Sequence, residues 1–259
     1  MPKPYRVVIA DDEMISRGYM ELFIKPSIRY EIAAALPFAQ DVLAWCGENP
    51  PPDLIILDVK PIYVRDVIDE IRPALNGKAV LSIAAGWTVS MLENALYGTS
   101  ATYLRVMPNT PALVGEGMTA ICDNTTFSKE DFNYAKGIFD SVGKTKVLPE
   151  RLFDGVVAVS GSSPAYVYMM IEAMADAAVK EGIPRVYAYE MAAQSVLGSA
   201  LMVLSSGTHP AALKDAVCSP GGTTIEAVEV LERKGFRAAI MDAMGACAAR
   251  NRERSKESE

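Results

Sequence analysis

Apolar positions in the first 109 residues fall into short blocks, RVVIA, YEIAAAL, DLIILDV, AVLSIAA and TYLRVM, and the stretches between them switch to helical spacing. Blocks this short and this evenly apolar predict strands buried on both faces of a sheet. The intervening MISRGYMELFI, AQDVLAWCGE, YVRDVIDEIRPAL and TVSMLENALY predict helices. Alternation of this kind predicts an α/β fold with a parallel, doubly wound sheet of the Rossmann or flavodoxin-like type. Ligands of such sheets gather beyond the carboxyl ends of the strands, which points to Asp11–Asp12, Asp58–Pro61, Ala84–Gly86 and Met107–Asn109.

Strand signals end near residue 150. SPAYVYMMIEAMADAAVKEG begins with Ser163-Pro164 and stops at Gly182 before Pro184, the punctuation of a helix start and stop. Glu172, Asp176 and Lys180 recur on one solvated face, opposite Met169, Ala173 and Ala177. The next pattern, VYAYEMAAQSVLGSALMVLSSG, is apolar nearly all round, so it needs burial on several sides and predicts a subunit interface. The expected division is an α/β domain at 1–148, a helical domain at 149–254 and a tail at 255–259, with ARNRERSKESE solvated and frayed.

Half of the residues are apolar and 22% are charged, the balance of a soluble globular chain. The net charge of −7 argues against non-specific nucleic-acid binding, which needs a basic face. No apolar run suits a signal peptide or approaches the ~20 residues that span a bilayer, so a cytoplasmic location without membrane contact is expected. Cys46, Cys122, Cys218 and Cys247 lie too far apart for a zinc spacing or a disulfide framework and are expected to be reduced and mostly buried. His209 stands alone, which excludes a histidine metal cluster and argues against a serine-histidine triad; His-Pro reads instead as the start of a short helix.

The most informative stretch is CSPGGTTIEAVEVLE, from Cys218 to Glu232. A tight turn at Ser219–Gly222 feeds a helix whose first amides point outward at its positive end, a setting for a carboxylate or phosphate. A plain helix start with threonine as N-cap fits the spacing equally well. RVMPNTPALVGEGMTAI, from Arg105 to Ile121, places two prolines around an Asn-Thr pair and stiffens the loop after the fifth strand.

VKP (59–61), LSIAAG (81–86), RVMPNTPA (105–112), VSGSSPAYVYMMIEAMADAAVKEGIPR (159–185), HPAALKDAVCSPGGTTIEAVEVLE (209–232) and GFRAAIMDA (235–243) occur in an order that resembles pyrroline-5-carboxylate reductase. The resemblance spans Val59 to Arg254 and implies NADPH-dependent reduction of 1-pyrroline-5-carboxylate to L-proline, with NAD(H) as the alternative cofactor. It also implies that the helical domain binds substrate and forms a homodimer or higher homo-oligomer. By matching position, Thr224 is the hydroxyl near the imine nitrogen. Glu150, Ser219, Gly221, Gly222 and Thr223 lie around the substrate, and Val59, Lys60, Pro61, Ala84, Ala85 and Asn109 flank the cofactor. An iminium carbon is already electrophilic, so it needs orientation and charge placement more than a strong acid. Ala216 stands where the family often has asparagine.

The opening VVIADDEMISRG departs from that pattern. A dinucleotide site wants G-x-G-x-x-G/A after the first strand, so that amides can approach the pyrophosphate; here Asp11, Asp12 and Glu13 stand there. Residues 5–58 resemble instead a response-regulator receiver domain, with VVIADDE as its paired acids and Asp58 of PPDLIILDV as the phosphoacceptor. That resemblance implies a Mg²⁺ site at Asp11, Asp12 and Asp58, and a sensor kinase as partner if this half functions. Scaffold acids without any phosphoryl role are the simpler reading. The chain then reads as a crossover at LIILDVKP, with five leading strands in flavodoxin-like order. A reductase is one expectation, a phosphoacceptor module fused to a dimerising helical domain another, and an inactive hybrid a third.

Overall fold

A computed structural model of the chain describes residues 4–12, 30–50 and 52–257. Glu13 and the expected helix MISRGYMELFI lie outside them. The described strands are β1 (Tyr5–Ala10), β2 (Tyr30–Leu36), β3 (Leu54–Leu57), β4 (Ala79–Ser82), β5 (Thr102–Met107), β6 (Gly117–Cys122) and β7 (Gly143–Leu148). They form one sheet in the order β2-β1-β3-β4-β5-β6-β7. The pairs from β2 to β5 are parallel, β6 runs antiparallel to β5, and β7 is parallel to β6. The first five strands thus take the expected flavodoxin-like order.

Alternation along β1, β3 and β4 sends side chains to both faces of the sheet, and both are covered. One face carries Val8, Ile55, Leu57 and Val80 against α1 (Ala39–Glu48), α2 (Val64–Ile71) and α3 (Val89–Leu96). The other carries Val7, Ile9, Ile56 and Leu81 together with Ala135, Ile138 and Phe139 of α4 (Lys129–Asp140). Two strands lie beyond the five expected ones. At their start Gly117 and Gly143 pair so closely that a Cβ on Gly143 would stand 2.1 Å from the Gly117 carbonyl oxygen, so this edge tolerates only glycine. After β7 the chain forms α5 (Phe153–Val156) and a π-helical segment at Val157–Gly161.

The remaining helices are α6 (Ser163–Lys180), α7 (Arg185–Ser206), α8 (Pro210–Val217), α9 (Thr223–Arg233) and α10 (Phe236–Glu257). Packing divides the chain into a unit of Met1–Ser162 with Ala246–Glu259 and a second unit of Ser163–Gly245. The second unit's described core is small: Ala175 of α6 meets Ala188 and Ala192 of α7. His209 caps α8, its Nδ1 accepting from the Ala211 amide at 3.2 Å, as the lone His-Pro led one to expect.

The end of α10 is not the frayed tail expected from ARNRERSKESE. Asn251 is buried and its Nδ2 donates to Asp154 Oδ1 at 2.7 Å, while the Ser255 hydroxyl donates to the Asn251 carbonyl. Helix continues to Glu257 because its last turns rest on the α/β unit. The cysteines are all free thiols; Cys122 is buried and the other three are partly exposed.

Candidate active site

The carboxyl edge of the parallel strands is a set of loops braced against one another. After β3, Val59 is buried, Lys60 is exposed and Pro61 opens a short 3-10 turn. Trp87, buried in the loop after β4, donates its indole N–H to the Pro61 carbonyl at 2.8 Å and so ties these two loops together. Ser82, the last residue of β4, accepts the Ala84 amide on its hydroxyl at 3.3 Å, and Gly86 turns the chain in the left-handed region at φ +83. Thr88 then caps α3 by accepting the Met91 amide. Val59, Lys60, Pro61, Ala84 and Ala85 line one hollow of about 190 Å³, so five of the residues expected around a cofactor come together.

Asn109 does not line that hollow. Its Oδ1 accepts the Met118 amide at 2.8 Å and its Nδ2 donates to the Ser160 carbonyl at 3.0 Å, fastening the end of β5 to β6 and to the π-helical segment. Beneath this loop Arg105 is buried, with its guanidinium 4.5 Å from the centre of the Phe153 ring. Its Nη1 donates to Glu150 Oε1 at 2.7 Å, and the same oxygen accepts the Val89 amide at 2.6 Å. Sequence reasoning pointed to Glu150 but not to Arg105 or Trp87; a lone arginine inside an otherwise apolar strand was the available signal for Arg105. Burial pushes the Cys122 thiol on β6 above its ordinary range.

Asp11, Asp12 and Asp58 line the same hollow, yet among the described residues no group of three acids, cysteines or histidines can hold a metal ion. The expected Mg²⁺ site is therefore absent from them. Asp11 is buried and Asp12 exposed, and although both border the hollow, no three of the described carboxylates are placed to share an ion. A second hollow of about 470 Å³ beside Asp11 and Asp12 is lined by Pro37, Phe38, Asp66 and Glu70, among others.

In the helical unit Ser219–Gly222 forms the tight turn expected. The Gly222 amide donates to the Ser219 carbonyl at 3.0 Å, and Gly221 has φ +66. A Cβ on Gly222 would stand 3.1 Å from the Ser219 carbonyl oxygen and would push the Ser219 hydroxyl aside, so a side chain there fits only with a shift of Ser219. Gly222 itself is the N-cap of α9, in place of a threonine. A glycine brings no capping oxygen, so the amides of Thr223 and Thr224 open the helix with their positive end uncovered by the cap residue. Glu150 belongs to the α/β unit and the Ser219–Thr224 turn to the helical one.

The profile of the family described as "Pyrroline-5-carboxylate reductase dimerisation" matches residues 150–254. The pyrroline-5-carboxylate reductase of Escherichia coli K12 is 54% identical over 205 residues, which cover 79% of this chain and 76% of that one. The chain belongs to the pyrroline-5-carboxylate reductase family. The Arabidopsis thaliana reductase is 43% identical over 205 residues, covering 79% of this chain and 74% of its own. The solved Plasmodium falciparum pyrroline carboxylate reductase with NADP bound superposes with a TM-score of 0.84 at 29% identity, covering 98% of this chain and 99% of that one. The Streptococcus pyogenes 1-pyrroline-5-carboxylate reductase gives 0.81 at 30%, covering 96% and 98%.

Likeness over 98% of the chain takes in the N-terminal strands as well, so the comparisons support a reductase fold there and give no support to a receiver domain. The comparisons lend no support to the regulatory alternative or to Mg²⁺ as its ion. What misled is local: an apolar strand followed by an acid suits the edge of many parallel sheets. Among the described residues no helix is long and apolar enough to cross a membrane.

Proposed function

We propose that this chain is an NADP(H)-dependent reductase that converts 1-pyrroline-5-carboxylate to L-proline in the cytoplasm as a homodimer or larger homo-oligomer. The observation that supports this best is the Ser219–Gly222 turn at the head of α9, in a chain 54% identical to a named reductase. Residues 149–254 form the substrate-binding and dimerisation domain in this reading. The Gly221 and Thr223 amides, at the positive end of α9, hold the substrate carboxylate, with Ser219 and Gly222, whose amide is bonded to the Ser219 carbonyl, shaping the turn. The Thr224 hydroxyl, one residue inside the helix, donates to the imine nitrogen as charge leaves the ring carbon–nitrogen bond. NADP(H), when bound, supplies the hydride.

The fit of the chain to a dinucleotide differs between its two halves. Val59, Pro61, Ala84 and Ala85 are small or apolar and line one side of a hollow, which suits a flat nicotinamide ring, while Asp11, Asp12 and Asp58 line the rest of it. The described residues after β1 do not suit a pyrophosphate: Asp11 and Asp12 stand there, and Asp66 and Glu70 line the neighbouring hollow. Carboxylates accept hydrogen bonds where amides would donate them, and like charges repel. A reductase with a weakened hold on its cofactor's phosphates follows, and no basic side chain lining those described hollows except Lys60 can relieve it.

The test is proline formation by the full chain from pyrroline-5-carboxylate and NADPH, followed by loss of NADPH absorbance and by product analysis. Proline should appear in proportion to NADPH consumed, and Thr224→Ala should slow it by about 10²-fold, the scale for removing one well-placed donor. If NADPH disappears without proline, or Thr224→Ala matches the parent, the assignment fails.

A further inference from the structure

Glu150 Oε1 is the point where three separate elements meet. It accepts from Arg105 Nη1 on β5 at 2.7 Å and from the Val89 amide at the start of α3 at 2.6 Å, while its own backbone opens the segment that leads to Phe153. Arg105 is held in turn by its burial and by the Phe153 ring beneath its guanidinium. Arg105 stands opposite Ser82 in the sheet register, and Ser82 orders the Ala84 amide. From Ser82 to Val89 the loop carrying Ala84 and Ala85 is thus clamped at both ends, and one clamp is Glu150.

We infer that Glu150 is a positioning residue that holds the Ala84–Ala85 loop through Val89 and Arg105, and that it does not touch the substrate. The inference rests on the proposed reductase reading for its kinetic consequence only. Oε1 is committed to the clamp by a guanidinium and a backbone amide, and a substrate contact would have to come from Oε2, which proline binding by Glu150→Gln reports. Loss of the carboxylate would leave the Arg105 charge buried without it and release the first amide of α3, so the loop that flanks the nicotinamide should loosen.

Trp87, two residues before Val89 and only 2% exposed, reports on this loop directly. In a Trp45→Phe background, acrylamide quenching of Trp87 should rise several-fold in Glu150→Ala and return to the parent value in Glu150→Gln, whose amide oxygen can still accept both hydrogen bonds. In turnover, Glu150→Ala should raise KM for NADPH about tenfold while calorimetric Kd for proline stays within twofold, and Glu150→Gln should restore KM. The account is overturned if quenching is the same in Glu150→Ala as in the parent, or if Glu150→Gln weakens proline binding about tenfold. Should Glu150→Ala not fold, the Glu150→Gln comparison still separates positioning from substrate contact. If the parent chain shows no turnover, the proposed function fails, while the quenching series continues to decide this inference.

Discussion

The α/β unit and the helical unit solve the problem of burial in opposite ways. In the α/β unit the LIIL strand is fully buried, and among the described residues α1, α2 and α3 cover one sheet face and α4 the other, so nearly every apolar residue of the central strands meets a partner within the chain. The helical unit buries three alanines in its described core and leaves Met169, Val186, Tyr187, Met191, Met202 and Leu204 more than half exposed. Small alanines let α6 and α7 pack closely, but they remove little apolar area from water, and at roughly 25 cal/mol per Å² that area sets the stabilisation. An apolar surface this extensive marks a protein interface. The family profile that matches here is named for dimerisation. One unit is complete within the chain, and the other needs a second copy.

Charging the exposed face of α7 should break this contrast most severely. Leu201→Asp with Met202→Glu should convert the oligomer to monomers or aggregates in sedimentation velocity, whereas the parent should run as a dimer or larger at micromolar concentration. A stable parent monomer would remove the basis of the comparison. The next effect separates the two units. Ile56→Ala, in the fully buried β3, should lower unfolding stability by about 2–5 kcal/mol through lost burial and a residual cavity. Leu197→Ala, about half exposed within one copy, should cost far less in chain stability and act on dimer dissociation instead. Equal losses in denaturant titrations of the two variants would show that α7 is packed as a core helix.

The smallest effect concerns Asp140 at the end of α4. Burial pushes its carboxyl up, but hydrogen bonds from Lys136 and Thr145 outweigh that and hold it below the ordinary carboxylate range. A lowered value in the folded state means the contribution is present above the unfolded pKa of about 3.9 and is lost as pH falls through the folded value. Asp140→Asn should therefore lose a little stability at neutral pH and match the parent in strong acid. The pair is partly exposed, so salt should shrink the difference.

How much of this was legible in the sequence followed the same division. The β1, β3, β4 and β5 blocks are apolar because they are buried on both faces, and that pattern survives without any alignment. β7, GKTKVL, is an edge strand with no fully buried residue, so its lysines and threonines conceal it. The SPGG turn could be read because its backbone enters the left-handed region at Gly221, which favours glycine. The Arg105–Glu150–Val89 clamp could not, since its members are 45 and 61 residues apart and meet only through the sheet. LIILDVKP fits two folds as a string, and likeness along the rest of the chain favours the reductase.

In the proposed reading the substrate turn is intact while the grip on the cofactor's phosphates is weakened, and separate calorimetric titrations of the full chain with proline and with NADPH distinguish the two sites. Replacing two charge-assisted amide bonds by carboxylates, at about 1.5–3 kcal/mol each, weakens binding on the order of a hundredfold or more. Proline should therefore give a saturable isotherm that Thr224→Ala disturbs, and NADPH should bind only in the high-micromolar to millimolar range. Low-micromolar NADPH binding, or a chain that does not bind proline at all, would contradict the account.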